Sequence, residues 1–421
     1  MPSLALDARR NARIIILAAL ISLAVVTLAL NRDRFVRASS GVIQLVSPKL
    51  SRKLRDTYVH SIMDPSATDL PRLECPQSDL TRYEYLKEYG KEIDPGAIQY
   101  YFAIDLRQTL PLLPRLLGSV VEVIRFLGPE RCYLSIVEGN SDDGTPEVLD
   151  ALQRPLMDLN TTYTVSHVST DPSEIDRIHR LALLRNDALS ALLPPADPNP
   201  SSKPLPTTPT TTIIFLNDVA ICPEDILELV HQRIALNATM TCAMDWTYAG
   251  ENPTFYDVWV ARTLAGDSFF EIPSDGNWNS AWNLFWNDTD TLSRYTQRKP
   301  FQVFSCWNGA VAIAAEPIVK GEIKFRGPNE ELEECFQGEP QLFCKDLWWK
   351  GYGKIAVVPA VNLEYSDEKA ERIKKLKGYT SQWRVDEGIE WRTEPPEKVK
   401  CMPNWEHQSW QAWNESLPGV G

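Results

Sequence analysis

Apolar and polar positions switch between two rhythms along the middle of this chain. Residues 99–105 (QYYFAID) are a short apolar run ending on an acid, the pattern of a strand buried on both faces. Residues 110–127 place apolar side chains at helical spacing and stop at Gly128 and Pro129, a helix-ending pair. A second strand is predicted over 132–137, followed by an acidic loop. The next helix has Thr145 as cap, Pro146 in the first helical position and Glu147 in the first turn. Residues 163–168 alternate as a strand. Residues 176–193 then set Ile178, Leu181, Ala188 and Leu192 on one helical face.

The strongest signal is 211–226, TTIIFLNDVAICPEDI. Ile213, Ile214, Phe215 and Leu216 read as a fully buried strand. Asn217 and Asp218 stand where it leaves the sheet, and a helix restarts at Pro223. Residues 194–210, just before it, carry seven prolines and are expected as a solvated loop inserted within one domain. Strand and helix alternate throughout, which predicts an α/β domain with a mostly parallel sheet and helices on both faces. Further on, 301–315 is an apolar stretch, a helix opens at Glu339 and Pro340 and runs to Gly351, and 354–359 returns as a strand.

The ends of the chain follow other rules. Residues 14–30 are uncharged and apolar, with Arg10 and Arg13 before them and Arg32 and Arg34 after. That length and flanking predict an uncleaved signal anchor, the chain's membrane contact. It divides the chain into a cytoplasmic tail (1–13), the anchor (14–30), a polar stem (31–95), the main α/β domain (96–370) and a Trp-rich extension (371–421). All eight cysteines and the four sequons at Asn160, Asn237, Asn287 and Asn414 lie beyond the anchor, as expected of a lumenal segment able to form disulfides. Cys335 with Cys344 is one conceivable pair. A length of 421 residues supports a real core, and a net charge of −13 with no basic run argues against nucleic-acid binding. Thirteen tryptophans, concentrated beyond residue 270, are compatible with a carbohydrate site, although core packing is the ordinary use of most.

The candidate chemistry sits at strand ends, the edge where open α/β sheets bind ligands. Glu138, Asp142 and Asp143 follow the second strand, where carboxylates can accept hydrogen bonds from a base or ribose; a turn and helix cap is the competing reading. Arg185 and Asn186 supply a guanidinium and an amide suited to a diphosphate. Asp218 beside Asn217 suits a hard divalent cation bridging a phosphate. Trp307, Asn308 and Gly309 present an aromatic face, an amide and a flexible backbone suited to sugar hydroxyls. Glu339 opens a helix, where its charge is favoured, with Asp346 about two turns on as its alternate. Asp245 and Asp257 are candidates for acceptor or metal, with a bond from Asp257 to Arg262 as the structural alternative. His407 is the candidate third metal ligand.

Taken in order, the acidic loop, the Arg-Asn helix and an Asp ending the next apolar strand resemble the GT-A nucleotide-sugar transferases. The segments Cys242–Trp246 (CAMDW), Phe255–Arg262 (FYDVWVAR), Ser305–Ala310 (SCWNGA), the run from Glu334 to Glu339 (ECFQGE) and Leu363 to Tyr365 narrow the resemblance to the fungal α-1,3-mannosyltransferase and capsule-associated protein family, glycosyltransferase family 69. It covers roughly 96–367. The resemblance implies a Golgi type II membrane enzyme with a lumenal GT-A-like domain, using GDP-mannose and Mn2+ (or Mg2+) to extend a glycan or polysaccharide acceptor. It implies that Glu138 and Asp143 touch the nucleoside, that Arg185 and Asn186 lie near the diphosphate, and that Asp218 holds the metal. Glu339 corresponds to an acceptor-facing carboxylate, and Asp245, Trp246, Trp307, Asn308 and Gly309 to the acceptor side. The usual Asp-x-Asp motif is matched by its second acid only, since LNDV offers Asn217 and Asp218. The alternatives are the same fold with another nucleotide-sugar donor, and a catalytically silent glycan-binding or scaffolding protein.

Overall fold

The computed structural model describes residues 50–77, 79–168, 176–193 and 205–417. The expected anchor at 14–30 and residues 194–204 of the proline-rich loop lie outside them. Among the described residues no helix is long and apolar enough to cross a membrane.

In chain order the elements that place the site are α1 (Arg52–Met63), β1 (Ile98–Leu106), α2 (Leu113–Leu127), β2 (Cys132–Glu138), α3 (Thr145–Ala151), β3 (Thr162–His167) and α4 (Arg177–Ala188). There follow β4 (Thr207–Leu216), α5 (Pro223–Ala235), β5 (Met240–Ala249), β6 (Asn252–Phe255), β7 (Phe301–Gln302) and β8 (Ala310–Ala314). Last come α6 (Glu339–Trp349), β9 (Ile355–Leu363), α7 (Asp367–Lys377) and the hairpin β10 (Lys398–Cys401) with β11 (Ser409–Ala412). The main sheet runs β3-β2-β1-β4-β8-β5-β9-β7, with β6 paired to β5. β1, β2, β3 and β4 are mutually parallel, as are β5 and β9; β8 lies antiparallel between β4 and β5. The fold is therefore mixed α/β around a mostly parallel sheet.

The apolar runs are continuous because both faces are covered. On β1, Tyr101 and Ala103 join one core while Tyr100, Phe102 and Ile104 join the other; on β4, Ile213 and Phe215 part from Ile214 and Leu216 in the same way. The second core is closed by α2, α3 and α5. The first is closed by α4 and α6, so the two helices that carry Arg185 and Glu339 pack on one face.

Two boundaries differ from those expected. The compact unit begins at Leu50, not near Gly96. Ile62, Leu73, Tyr83 and Leu86 are buried, the Tyr83 hydroxyl donates to Glu228 at 2.8 Å, and Cys75 is disulfide-bonded to Cys222, so 50–95 is bound to α2 and α5 rather than standing free. The strand at the end of the proline-rich segment starts at Thr207, because Thr207 pairs with Ile98 ahead of a register shift. The other disulfides are Cys242–Cys306 and Cys335–Cys401; Cys344 is a buried free thiol, so the pair Cys335–Cys344 does not form.

Candidate active site

The carboxyl ends of β1, β2, β4 and β5 deliver Asp105, Glu138, Asn217 with Asp218, and Asp245 to one rim of the sheet. β8 runs the other way, so the residues preceding it, Trp307, Asn308 and Gly309, arrive at the same rim. Arg185 reaches it from the last turn of α4 and Glu339 from the first residue of α6.

Arg185 is the hub. It is 7% exposed, and its Nε donates to Glu339 Oε1 at 2.8 Å, while Nη1 is enclosed without a partner. Its guanidinium lies 4.3 Å from the Trp307 ring centroid, with Phe215 and Phe325 at 5.2 and 5.6 Å, a stacked setting that Arg fills and Lys does not. Trp307 Nε1 donates to Asn217 Oδ1 at 3.0 Å, joining the guanidinium to the end of β4. Next to it the backbone is forced. Asn308 and Gly309 both adopt left-handed φ, +56° and +80°. At φ +80° Gly309 takes a conformation that glycine adopts without strain, and a Cβ there would also press on the Val219 side chain at 3.0 Å. Asn308 is locked by its N–H to Asp257 Oδ2 (2.9 Å) and its amide to the Ala243 carbonyl (2.7 Å).

Around this hub stand more carboxyls than cations. Burial pushes Asp105 up to about 7, against the pull of Arg185. Burial also raises Asp218, again opposed by Arg185, and lifts Asp257 to about 6 despite the Asn308 N–H. Asp245 is raised well above the carboxylate range by burial and then by Asp257, even though the Tyr365 hydroxyl donates to its Oδ2 at 2.6 Å. The Oδ1 atoms of Asp105 and Asp245 are enclosed without partners. Buried polar atoms are ordinarily satisfied, so three orphans facing one rim mark the place of a polar ligand. Desolvated carboxyls crowded around one already paired guanidinium would ionise fully if a cation or cationic clamp joined them.

This geometry fixes a pH dependence. Folded Asp105 and Asp257 titrate above the ordinary Asp value of about 3.9, so the folded state holds more protons between about pH 4 and about pH 7. Stability that is complete below pH 4 is lost as pH rises through those folded values. Asp105→Asn, which cannot ionise, is expected to gain thermal stability relative to wild type between pH 5 and pH 8 in ligand-free melts. A gap that does not change with pH contradicts the assignment.

Several sequence-predicted residues are placed elsewhere. Asn186 clamps the backbone of Phe325 with both ends of its amide (2.8 and 3.0 Å), so its side chain is committed to the wall beside Arg185. Asp143 accepts from the N–H groups of Thr145 and Leu110, and Asp142 from the Gln108 side chain, so both tie the loop to the segment that follows β1. Glu138 is on the rim, but its carboxylate accepts from Ser141 N–H (2.7 Å) and stands 3.4 Å from His167. Trp246 is a core residue whose Nε1 donates to Asn362. Asp346 is held by Arg326 at 2.7 and 2.8 Å, in a separate ion-pair group with Glu334 and Lys345. His407 is exposed and bonded to Asn404 in the C-terminal tail. Arg262 donates to the carbonyls of Lys400, Val258 and Ala261 and leaves Asp257 to Asn308. Among the described residues no three His, Cys, Asp or Glu side chains are grouped to hold a metal. An ion here would need a substrate phosphate as co-ligand, an arrangement in which one or two carboxylates suffice. The residue missed in the sequence is Asp105, although it carries the signal that singled out Asp218: an acid closing an apolar strand.

A sequence model of the family described as cryptococcal mannosyltransferase 1 matches residues 99–346. The chain is 33% identical over 382 residues to an α-1,3-mannosyltransferase of Cryptococcus neoformans var. neoformans, covering 83% of this chain and 79% of that protein. Among solved structures, TarS of S. aureus (residues 1–349) aligns with 66% of this chain and 64% of its own, at 12% identity and a TM-score of 0.35. The mannosyltransferase PcManGT of Pyrobaculum calidifontis, in complex with GDP-Man and Mn2+, aligns with 64% of this chain and 57% of its own, at 9% identity and a TM-score of 0.35. Both matches span less than two thirds of the solved chain, and likeness at that level carries no weight for the site.

Proposed function

The chain belongs to the cryptococcal mannosyltransferase 1 family and is a mannosyltransferase, and on that premise we propose that it takes mannose from GDP-mannose and forms an α-1,3 linkage on a glycan acceptor. The observation that carries the site is the buried Arg185, paired on one side with Glu339 and holding a partnerless Nη1 toward a rim of desolvated carboxyls. That arrangement supports a GT-A-type reading, with the nucleoside over β2 and β1 near Glu138 and the diphosphate between Arg185 and Asp218. Glu138 and Asp218 stand at the ends of strands two places apart, roughly 10 Å by sheet spacing.

In this reading Arg185 gives Nη1 to a departing phosphate oxygen while Glu339 keeps the guanidinium in plane, an electrostatic clamp already oriented before substrate arrives. Asp218 would hold Mn2+ (or Mg2+), which when bound supplies Lewis-acid neutralisation of the leaving diphosphate. An α linkage made from an α-linked donor keeps the anomeric configuration. The charge of Glu339 then suits stabilisation of an oxocarbenium-like sugar better than proton abstraction. Asp245 and Asp257, raised by burial, can donate as well as accept hydrogen bonds, which suits sugar hydroxyls. The three disulfides support an oxidising compartment, in keeping with a single-pass type II Golgi protein anchored by 14–30.

The test is a donor screen on purified protein with GDP-mannose and a set of UDP-sugars, with and without manganese. Mannose release or transfer from GDP-mannose that requires the metal is the expected result. Turnover of a UDP-sugar alone overturns the donor, and metal-free turnover overturns the cation.

A further inference from the structure

The turn that carries Asp257 also carries two large exposed aromatic side chains. The chain leaves β6 at Phe255 and makes one turn, in which Ala261 N–H donates to the Asp257 carbonyl at 3.1 Å. Phe255 and Val258 are buried in the core, and Asp257 turns inward to Asn308. Tyr256 and Trp259, three residues apart, remain 46% and 36% exposed. Both rings belong to the single short segment that leads from β6 to Ala261 and carries Asp257.

Both rings are braced. Tyr256 packs against Tyr365 with ring centroids 4.9 Å apart, and Tyr365 is the residue whose hydroxyl holds Asp245. Trp259 stacks on Trp405 at 4.0 Å. Trp405 in turn lies edge-on to Trp278, and a Cβ on Gly276, at φ +71°, would come within 2.7 Å of the Trp405 ring. Packing of this kind between Trp259, Trp405 and Gly276 fixes the ledge while leaving aromatic surface in water. Rigid exposed aromatics lose little side-chain freedom on binding, so the surface is prepared for a ligand with an apolar face. The C–H face of a pyranose is such a surface, and its hydroxyl edge is free to bond water or protein.

We propose that Tyr256 and Trp259 form a stacking ledge for the glycan acceptor, holding the sugars beyond the one that receives mannose. The proposal rests on the mannosyl-transfer reading of the adjoining site. Its reason for committing to the acceptor is continuity: the ledge flanks Asp257 in sequence, and Tyr256 packs on the Tyr365 that bonds Asp245, so a saccharide lying at this rim extends across it.

The test compares methyl α-mannoside with α-1,3-mannotriose as acceptors for the full chain. Trp259→Ala and Tyr256→Ala are each expected to raise KM for the trisaccharide about tenfold, the loss of one stacking contact, while KM for the monosaccharide moves less than about twofold. Trp259→Tyr recovers most of the trisaccharide affinity. Trp282→Ala, at an 82% exposed tryptophan outside the ledge, leaves both values as in wild type. Binding of GDP by each variant reports folding, and if Trp259→Ala binds none, Tyr256→Ala and Trp259→Tyr decide. An unchanged trisaccharide KM, or equal rises for both acceptors, overturns the ledge with the transferase reading intact. Wild-type protein that turns over no donor overturns the reading beneath it.

Discussion

Arg185→Ala is expected to lower kcat/KM for mannosyl transfer by about 10³-fold and to lower stability at the same time. The two losses have separate causes. The catalytic loss is the removal of a preoriented cation aimed at the leaving diphosphate, the kind of group worth about 3–4 kcal/mol in an enclosed site. The loss of stability comes from Glu339, which is 2% exposed and takes the guanidinium as its partner. Stripping one member from a buried pair leaves an uncompensated charge at a cost of about 3–5 kcal/mol. The double variant Arg185→Ala with Glu339→Gln should therefore recover stability and not activity. Arg185→Lys keeps the charge but loses the planar fork on Glu339 and the stack on Trp307, so it should recover only part of either. Thermal melts and steady-state kinetics on the same preparations check this. A fully active, destabilised Arg185→Ala would show that the pair is structural only.

Asp218→Asn is expected to have the opposite stability signature. Activity with manganese should fall by about 10²–10³-fold, because the carboxylate we propose as the bridge between a cation and the donor phosphates is gone. The ligand-free protein should be as stable as wild type or more so, since burial raises Asp218 and a neutral amide removes that desolvation. GDP with manganese is expected to raise the melting temperature of wild type, and the same preparation should lose that gain. If Asp218→Asn keeps metal-dependent stabilisation by GDP, the ion sits on other carboxyls of the rim, with Asp105 and Asp245 the first candidates.

These expectations draw unequally on the sequence. β1 and β4 are legible because a strand covered on both faces must be apolar throughout, and the polar residues that break such a run, Asn217 and Asp218, are where it leaves the sheet. Trp307, Asn308 and Gly309 are legible as a motif since consecutive left-handed residues select Asn and Gly. What the sequence does not carry is the choice of long-range partner. Asp346 sits about two turns along α6 from Glu339, yet it meets Arg326. Asn186 meets a backbone 139 residues away. Trp246 and Trp307 are both buried tryptophans; only the packing shows that one bonds Asn362 in the core and the other faces Arg185. β8 escapes the alternation rule because it inserts antiparallel between β4 and β5, and the covered faces of its neighbours do not announce it.

The central claim is that a nucleoside diphosphate is clasped between Arg185 and a cation on Asp218 at the carboxyl rim of the sheet. A crystal structure of the protein with GDP and manganese tests it most directly. The account predicts the diphosphate within hydrogen-bond distance of Arg185 Nη1, the ion bridging it to Asp218, and the Arg185–Glu339 pair retained. GDP bound with its phosphates away from Arg185, or an ion that leaves Asp218 untouched, would contradict it.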